Sequence, residues 1–473
     1  MWLKCRGAFD QDRTWQRGRT LLISSLVSLG RRTVTGLLYT GGRQFRDWSG
    51  YYRLFSKHRF DKHAIFRVIR GAVLEEITTT APLIVSMDDS LLRKTGTHIP
   101  GVGWRRDPLG PPFQINLIRA QRVLQLSAVV PQGQGPTWAR TIPIDFTDAP
   151  SVPKPGKVAI EQEWEQYRKA CKEKNLSRQG LRRIQMLRQE LDADEPTNKR
   201  KIWITVDGSY TNGNVLKKLP PHTILIGRIR GDAKLFHRPG TEDMPSRGRR
   251  PQYGKRAPTP EDLREDKTIP WQTVQAFACG KMHDFKIKTA APVLWRSAGA
   301  STNMRLIVIA PLSYRPRKNS KLLYRRPAYL ICTDPDLPLA DIIQAYIWRW
   351  GVEVNFRDEK QLIGVGQAQV RSAESVDAAP SLLVASYAML LLAAAKAFRL
   401  DGSSNSIPPP KWRRQPKKLR ASTSDLINHL RCELWGKALG EPNFSGFRDK
   451  DFPCTKPEKR LPDLASSVLY AMQ

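Results

Sequence analysis

Two short apolar runs that each end on an acid constrain this chain most. "APLIVSMDDS" at 81–90 and "KIWITVDGSY" at 201–210 read as strands, and they carry Asp88, Asp89 and Asp207 at their ends. Ligands of open α/β sheets collect at strand ends, so two such strands in one sheet would set carboxylates along one edge. The expected fold class is therefore α/β, a mixed sheet with helices around it.

The neighbouring segments fit that frame. "FQINLIRAQRVLQLSAVVP" at 113–131 reads as two consecutive strands, and "HTILIGRIR" at 222–230 as one more after a short helix-like link at 214–218. Between them a charged segment places Trp164, Tyr167, Leu181, Ile184 and Leu187 at helical spacing. Residues 231–305, rich in Pro, Gly and Arg, read as an insertion of long loops with a few strands. Strand signals resume in "MRLIVIAPLSY" and "RRPAYLICTDP", and a helix begins at about Pro338. Three domains are expected. Residues 1–78 form short helices with interleaved basic and aromatic side chains, a DNA-binding pattern. Residues 79–398 form the catalytic domain, and 399–473 a Pro-rich basic linker with final helices.

Charge narrows the partners. Lys and Arg number 78 against 44 Asp and Glu, a net of +34, which implies a polyanion. Double-stranded DNA fits better than a membrane, because the longest apolar stretch, 381–398, is Ala-rich, contains Lys396 and reads as a buried helix. No secretory signal pattern precedes it, and the six cysteines form no CxxC pair, so neither a disulfide framework nor structural zinc is indicated. A cytoplasmic protein is expected.

A third acidic position comes from "AYIWRWGVEVNFRDEKQLIG" at 345–364. At about 100° per residue, with Tyr346 at zero, Arg349, Trp350, Glu353, Arg357 and Lys360 all fall within about 60° of it. Glu353 then shares a face with groups able to hold phosphates or stack on bases. Asp358 and Glu359 fall on other faces and read as solvent-facing charges. On a solvated helix, Arg349–Glu353 and Glu353–Arg357 would be i,i+4 pairs contributing only tenths of a kcal/mol. Three acids on a strongly basic protein suit phosphodiester chemistry, since hard divalent ions take carboxylate oxygens and keep sites for a phosphate.

The spacing of Tyr346, Arg349, Glu353 and Lys360 resembles the Tyr-Arg-Glu-Lys signature of the insertion-sequence-four group of bacterial DDE transposases. "SMDDS" is similar to that group's first acidic motif and "VDGSY" to its second, and the resemblance spans roughly residues 80–375. It implies a ribonuclease H-like mixed sheet with a β-rich insertion at about 231–305. It implies Asp88, Asp207 and Glu353 as catalytic residues holding two Mg²⁺ ions, with Mn²⁺ able to substitute. Tyr346, Arg349 and Lys360, with Trp350 and Arg357 beside them, would hold DNA.

The implied activity is binding of terminal inverted repeats, metal-dependent cleavage at the element ends and strand transfer to target DNA, by a homodimer in synapsis. No G-x-x-x-x-G-K-[ST] is present, so ATP is not expected to be consumed. Two other readings remain, a nuclease that cuts without joining and a DNA-binding remnant without activity. Strand alternation points Asp88 and Asp89 in opposite directions without choosing between them. The resemblance aligns Asp88 with the catalytic acid.

Overall fold

β5 (Ile202–Val206) is buried along its whole length, as a central strand covered on both faces must be. Around it lies an 11-stranded mixed sheet, counted among the described residues, in a computed structural model. The structure describes residues 1–398, apart from 46, 108, 109, 112, 115, 134, 242–247 and 318, together with residues 421–439. The Pro-rich linker and most of the expected C-terminal helices lie outside the described residues.

A 3-10 turn (Trp2–Ala8) leads into α1 (Asp12–Val27), α2 (Val34–Thr40), α3 (Ser49–Ser56) and α4 (Lys62–Glu75). Then come β1 (Leu83–Arg93), β2 (Gly103–Arg106), β3 (Leu117–Pro131), β4 (Ala139–Asp148), α5 (Glu161–Glu173) and α6 (Leu176–Asp192). After β5 follow α7 (Gly213–Leu216), β6 (Thr223–Arg228), β7 (Leu235–Phe236), α8 (Pro260–Glu265), β8 (Gln272–Ala278), β9 (Lys281–Trp295) and β10 (Gly299–Ile309). The chain continues through β11 (Ser313–Tyr314), β12 (Leu323–Tyr324), β13 (Ala328–Cys332), α9 (Leu339–Trp348) and α10 (Trp350–Asp358). A π-helical turn (Glu359–Ile363), α11 (Ala373–Phe398) and α12 (Thr423–Leu439) complete it.

The strand order is β2-β3-β1-β5-β6-β13-β10-β9-β7, with β4 also on β3 and β8 on β9. β1, β5 and β6 run parallel, and the remaining pairs are antiparallel. Ser86 Oγ and Thr205 Oγ1, 3.0 Å apart, satisfy each other in the core between β1 and β5.

Two expectations need correction. Residues 117–131 form one strand rather than two, because no Gly, Pro or Asn interrupts them and both edges are paired, by β1 on one side and by β2 and β4 on the other. The charged segment is two helices. Asn175 caps α6 by accepting from the amides of Ser177 and Arg178, so only α6 carries core residues, Leu181, Ile184 and Leu187 among them. α5 buries nothing, and Trp164 packs edge-on against Tyr167 instead of entering the core. The stretch expected as an insertion of long loops with a few strands holds β7, β8, β9 and most of β10, and these strands extend the main sheet.

The N-terminal helices share one hydrophobic cluster with β1, β4 and α11. Arg70 Nη1 donates to the Ile144 carbonyl at 2.8 Å, Lys62 pairs with Asp377 at 2.5 Å, and Ser25 Oγ lies 3.0 Å from Ser386 Oγ. α11 is long and apolar enough to cross a membrane by length and composition, yet 94% of its apolar window is buried inside the protein. Each large apolar side chain it buries contributes about 1.5–3 kcal/mol, which makes it the central core helix.

Candidate active site at the carboxylate edge

β1 is buried from Leu83 through Met87 and turns half-buried at Asp88, so the strand leaves the core where its acids begin. The parallel register Ser86↔Thr205 puts Asp88 level with Asp207, one residue past the end of β5. Asp207 is fixed by a tight local turn in which its carboxylate accepts from the Ser209 amide at 2.9 Å and the Ser209 hydroxyl at 3.1 Å. Burial, and after it the Asp207 charge, push Asp88 up to about 7.

The third acid arrives on α10. Gly351 lets this helix approach β4, since a Cβ there would meet Thr141 Oγ1 at 1.9 Å. Arg349, between α9 and α10, donates to Glu353 Oε1 at 2.8 Å and to Asp88 Oδ2 at 3.3 Å, joining the two carboxylates. Its guanidinium lies 5.6 Å from the centre of the Tyr346 ring. The π-helical turn, closed by Gly364 at φ 72, aims Lys360 Nζ at Ser90 Oγ, 2.6 Å away and two residues past Asp88 on β1. Burial holds the Lys360 ammonium below its ordinary pKa.

Asp88, Asp207, Glu353, Arg349, Tyr346 and Lys360 are thus brought to one edge of the sheet. Trp350 is exposed near them. Arg357 is not part of the group. It donates to Asp358 at 2.9 Å and lines a separate cavity of about 510 Å³ with Trp138, Arg140, Asn355 and Tyr387.

The adjacent acids of β1 point apart. Asp88 faces Arg349, whereas Asp89 accepts from the Tyr210 hydroxyl at 2.9 Å and pairs with Arg122 at 3.4 Å. Tyr210, fully buried, and Arg122 were not singled out in the sequence, although Tyr210 stands three residues after Asp207 in the same motif. Arg228 was also missed. Its only signal is register, since Val206↔Gly227 sets it beside Asp207, where its charge acts on Tyr346.

Asp358 and Glu359 are not solvent-facing charges, since they are 4% and 1% exposed. Asp358 accepts from the Thr423 hydroxyl at 2.6 Å and from the Tyr387 hydroxyl at 3.4 Å. Burial pushes Glu359 up to about 8, against the opposing effect of the Gln125 amide. The helical wheel located their faces correctly, but β3, α11 and α12 cover those faces.

As the side chains stand, no three His, Cys, Asp or Glu among the described residues are close enough to hold a metal ion together. The Arg349 guanidinium lies between two of the acids. The donor set is hard oxygen throughout, which suits a hard divalent cation.

No curated protein matches the chain. Residues 7–302, more than half of it, match the DDE superfamily endonuclease family. The matched span contains Asp88 and Asp207 and ends before the 345–364 segment. On that match the chain belongs to the DDE superfamily of endonucleases.

Proposed function

We propose that the protein is a DNA transposase of the insertion-sequence-four-like kind, built on a ribonuclease H-like sheet. The observation that carries this reading is the Arg349 link between Glu353 and Asp88, on the strand beside Asp207. It joins Glu353, which lies beyond the family match, to Asp88, and the parallel register sets Asp88 level with Asp207. DDE superfamily enzymes act as nucleases or transposases on DNA and generally use divalent metals.

Asp88, Asp207 and Glu353 would hold Mg²⁺, two ions in this reading, or Mn²⁺ in its place. The fit is supported by the donor set, hard carboxylate oxygen throughout, with Asp88 beside Arg349 and level with Asp207. Bound there, the metal supplies Lewis-acid activation for phosphodiester cleavage and transfer. The chain's own part is positioning. Arg349, Lys360 and Arg228 present positive charge to the DNA backbone, while Tyr346 and exposed Trp350 offer stacking surfaces. Synapsis of two element ends calls for two copies of the chain.

The test uses the purified chain with duplex DNA carrying the inverted repeats that flank its reading frame. Divalent-metal-dependent cuts at the repeat ends, followed by joining of those ends to a plasmid, are expected. Cutting without joining leaves a plain nuclease, and binding without cutting leaves an inactive remnant. Binding should weaken steeply with salt, as counterion release from a +34 chain requires. A flat dependence would sink the nucleic-acid reading.

A further inference from the structure

β11 and β12 form a two-stranded sheet of their own, apart from the main one. They connect β10 to β13, and the register fixes where they stand. Asp207 is level with Arg228, Arg228 pairs with Leu330, and Ile309 pairs with Ala328 two residues farther out. Because β10 runs outward and β13 inward at this point, the connection from 310 to 327 leaves the sheet at the edge that carries Asp88 and Asp207. β13 is the second strand from β5, so at about 4.8 Å per strand the arm stands roughly 10–15 Å to the side of Asp207.

The arm is exposed but ordered by its own contacts. Every described residue from 311 to 326 is exposed except half-buried Ser320. Arg325 N donates to the Leu312 carbonyl at 2.9 Å, Arg315 Nη1 to the Ser320 carbonyl at 2.7 Å, and the Arg325 guanidinium lies 5.1 Å from the Tyr314 ring centre. An isolated two-stranded ribbon is marginal in water, and this one shows Leu312, Tyr314, Leu322, Leu323 and Tyr324 to solvent. "PLSYRPRKNSKLLYRRP" (311–327) holds six Lys and Arg and no acid. Charge of one sign beside aromatic surface is complementary to a polyanion with stackable or groove-lining apolar groups, and two-stranded ribbons fit the DNA major groove.

We propose that the β11–β12 ribbon is a DNA-clamping arm that grips duplex DNA beside the phosphodiester bond being cut. Arg315, Arg317, Lys321 and Arg326 neutralise backbone phosphates, and Tyr314 and Tyr324 pack into the groove. Arg228, exposed and level with Asp207, continues the positive charge from the arm to the acids. The proposal rests on the DNA-cleaving reading given above.

The test measures duplex DNA binding by the full chain, the fourfold Arg315→Gln, Arg317→Gln, Lys321→Gln, Arg326→Gln variant, and a variant with 312–325 replaced by a short Gly-Asn turn. Ile309 and Ala328 are already paired, so such a turn can close the strands without the arm. At about 0.9 per phosphate contact, the fourfold variant should lower the log–log salt slope by about 3–4 and weaken binding at physiological salt by at least tenfold. Hydroxyl-radical protection should shrink on one flank of the cut site. Unchanged affinity, slope and footprint in both variants, with the wild type binding normally, would overturn the arm alone. Failure of the wild type to bind duplex DNA would instead overturn the functional reading. Displacement of the arm by polyglutamate but not by duplex DNA would assign it to an acidic protein and overturn the proposal.

Discussion

Within one short segment, the protein uses carboxylates in two opposite ways. Glu353 stands at an open sheet edge, its side chain 35% exposed, with Arg349 as partner and Asp88 beyond. Five and six residues later, Asp358 and Glu359 lie in a closed polar layer with Thr423, Tyr387, Asn355 and Gln125. The difference teaches that the residue type does not set the task. An acid left beside a guanidinium at a strand end is available to a cation, whereas a buried acid must be hydrogen-bonded or neutral and so becomes part of the scaffold.

The comparison breaks most sharply on activity. Asp207→Ala and Glu353→Gln should lower metal-dependent cleavage on the order of 10³-fold or more while shifting the thermal midpoint little. Asp88→Asn should do the same, and Asp89→Asn should only weaken cleavage, because Asp89 is engaged with Tyr210 and Arg122. Cleavage assays on precut and uncut repeat ends check all four. A near wild-type rate in any of the first three removes that residue from the site.

Asp358→Ala should show the reverse. It takes from the buried Thr423 hydroxyl its acceptor at 2.6 Å and leaves the Tyr387 hydroxyl only Asn355 Oδ1 and Thr423 as partners, a loss of about 1–3 kcal/mol, seen as a lower denaturant midpoint. A midpoint equal to wild type would place Asp358 in solvent after all.

Glu359 gives a pH signature. Its carboxyl sits near 8 in the fold against 4.5 when exposed, so between those values the folded state holds a proton that the unfolded state has released. Stability is therefore full below about 4.5, falls as pH rises, and levels off above about 8, a total of a few kcal/mol. Glu359→Gln removes that slope and should be more stable than wild type at pH 8. Parallel stability-against-pH curves for the two proteins would contradict the buried neutral acid.

The smallest effect belongs to Trp350, 61% exposed. Trp350→Ala should change stability by no more than about 0.5 kcal/mol. Any loss of cleavage then reports on DNA contact, measured as a split between affinity and rate.

Much of the carboxylate edge was legible because strand identity follows from local apolar runs. "LIVSM" and "IWITV" had to be buried, and the acids after them had to emerge where burial stopped. The spacing from Tyr346 to Lys360 was legible because helical phase is a local property, although the helix is interrupted at Arg349 and ends in a π-helical turn. Less legible was the middle of the chain. β4 is absent from the sequence reading, and β9 was read as part of an insertion while only the second half of β10 was read as a strand, because strand pairing joins residues far apart and has no local trace.

The sequence by itself determined the basic character of the chain, the order of its three acids and the face on which Glu353 meets Arg349. Only the tertiary structure decided which side of that helix is covered, which of two adjacent aspartates faces Arg349, and that Arg228 and the β11–β12 ribbon share the acids' edge. The physical reason is range. Charge, apolar runs and helical phase are set within a few residues, whereas burial and strand register depend on which distant segment arrives to pack against them.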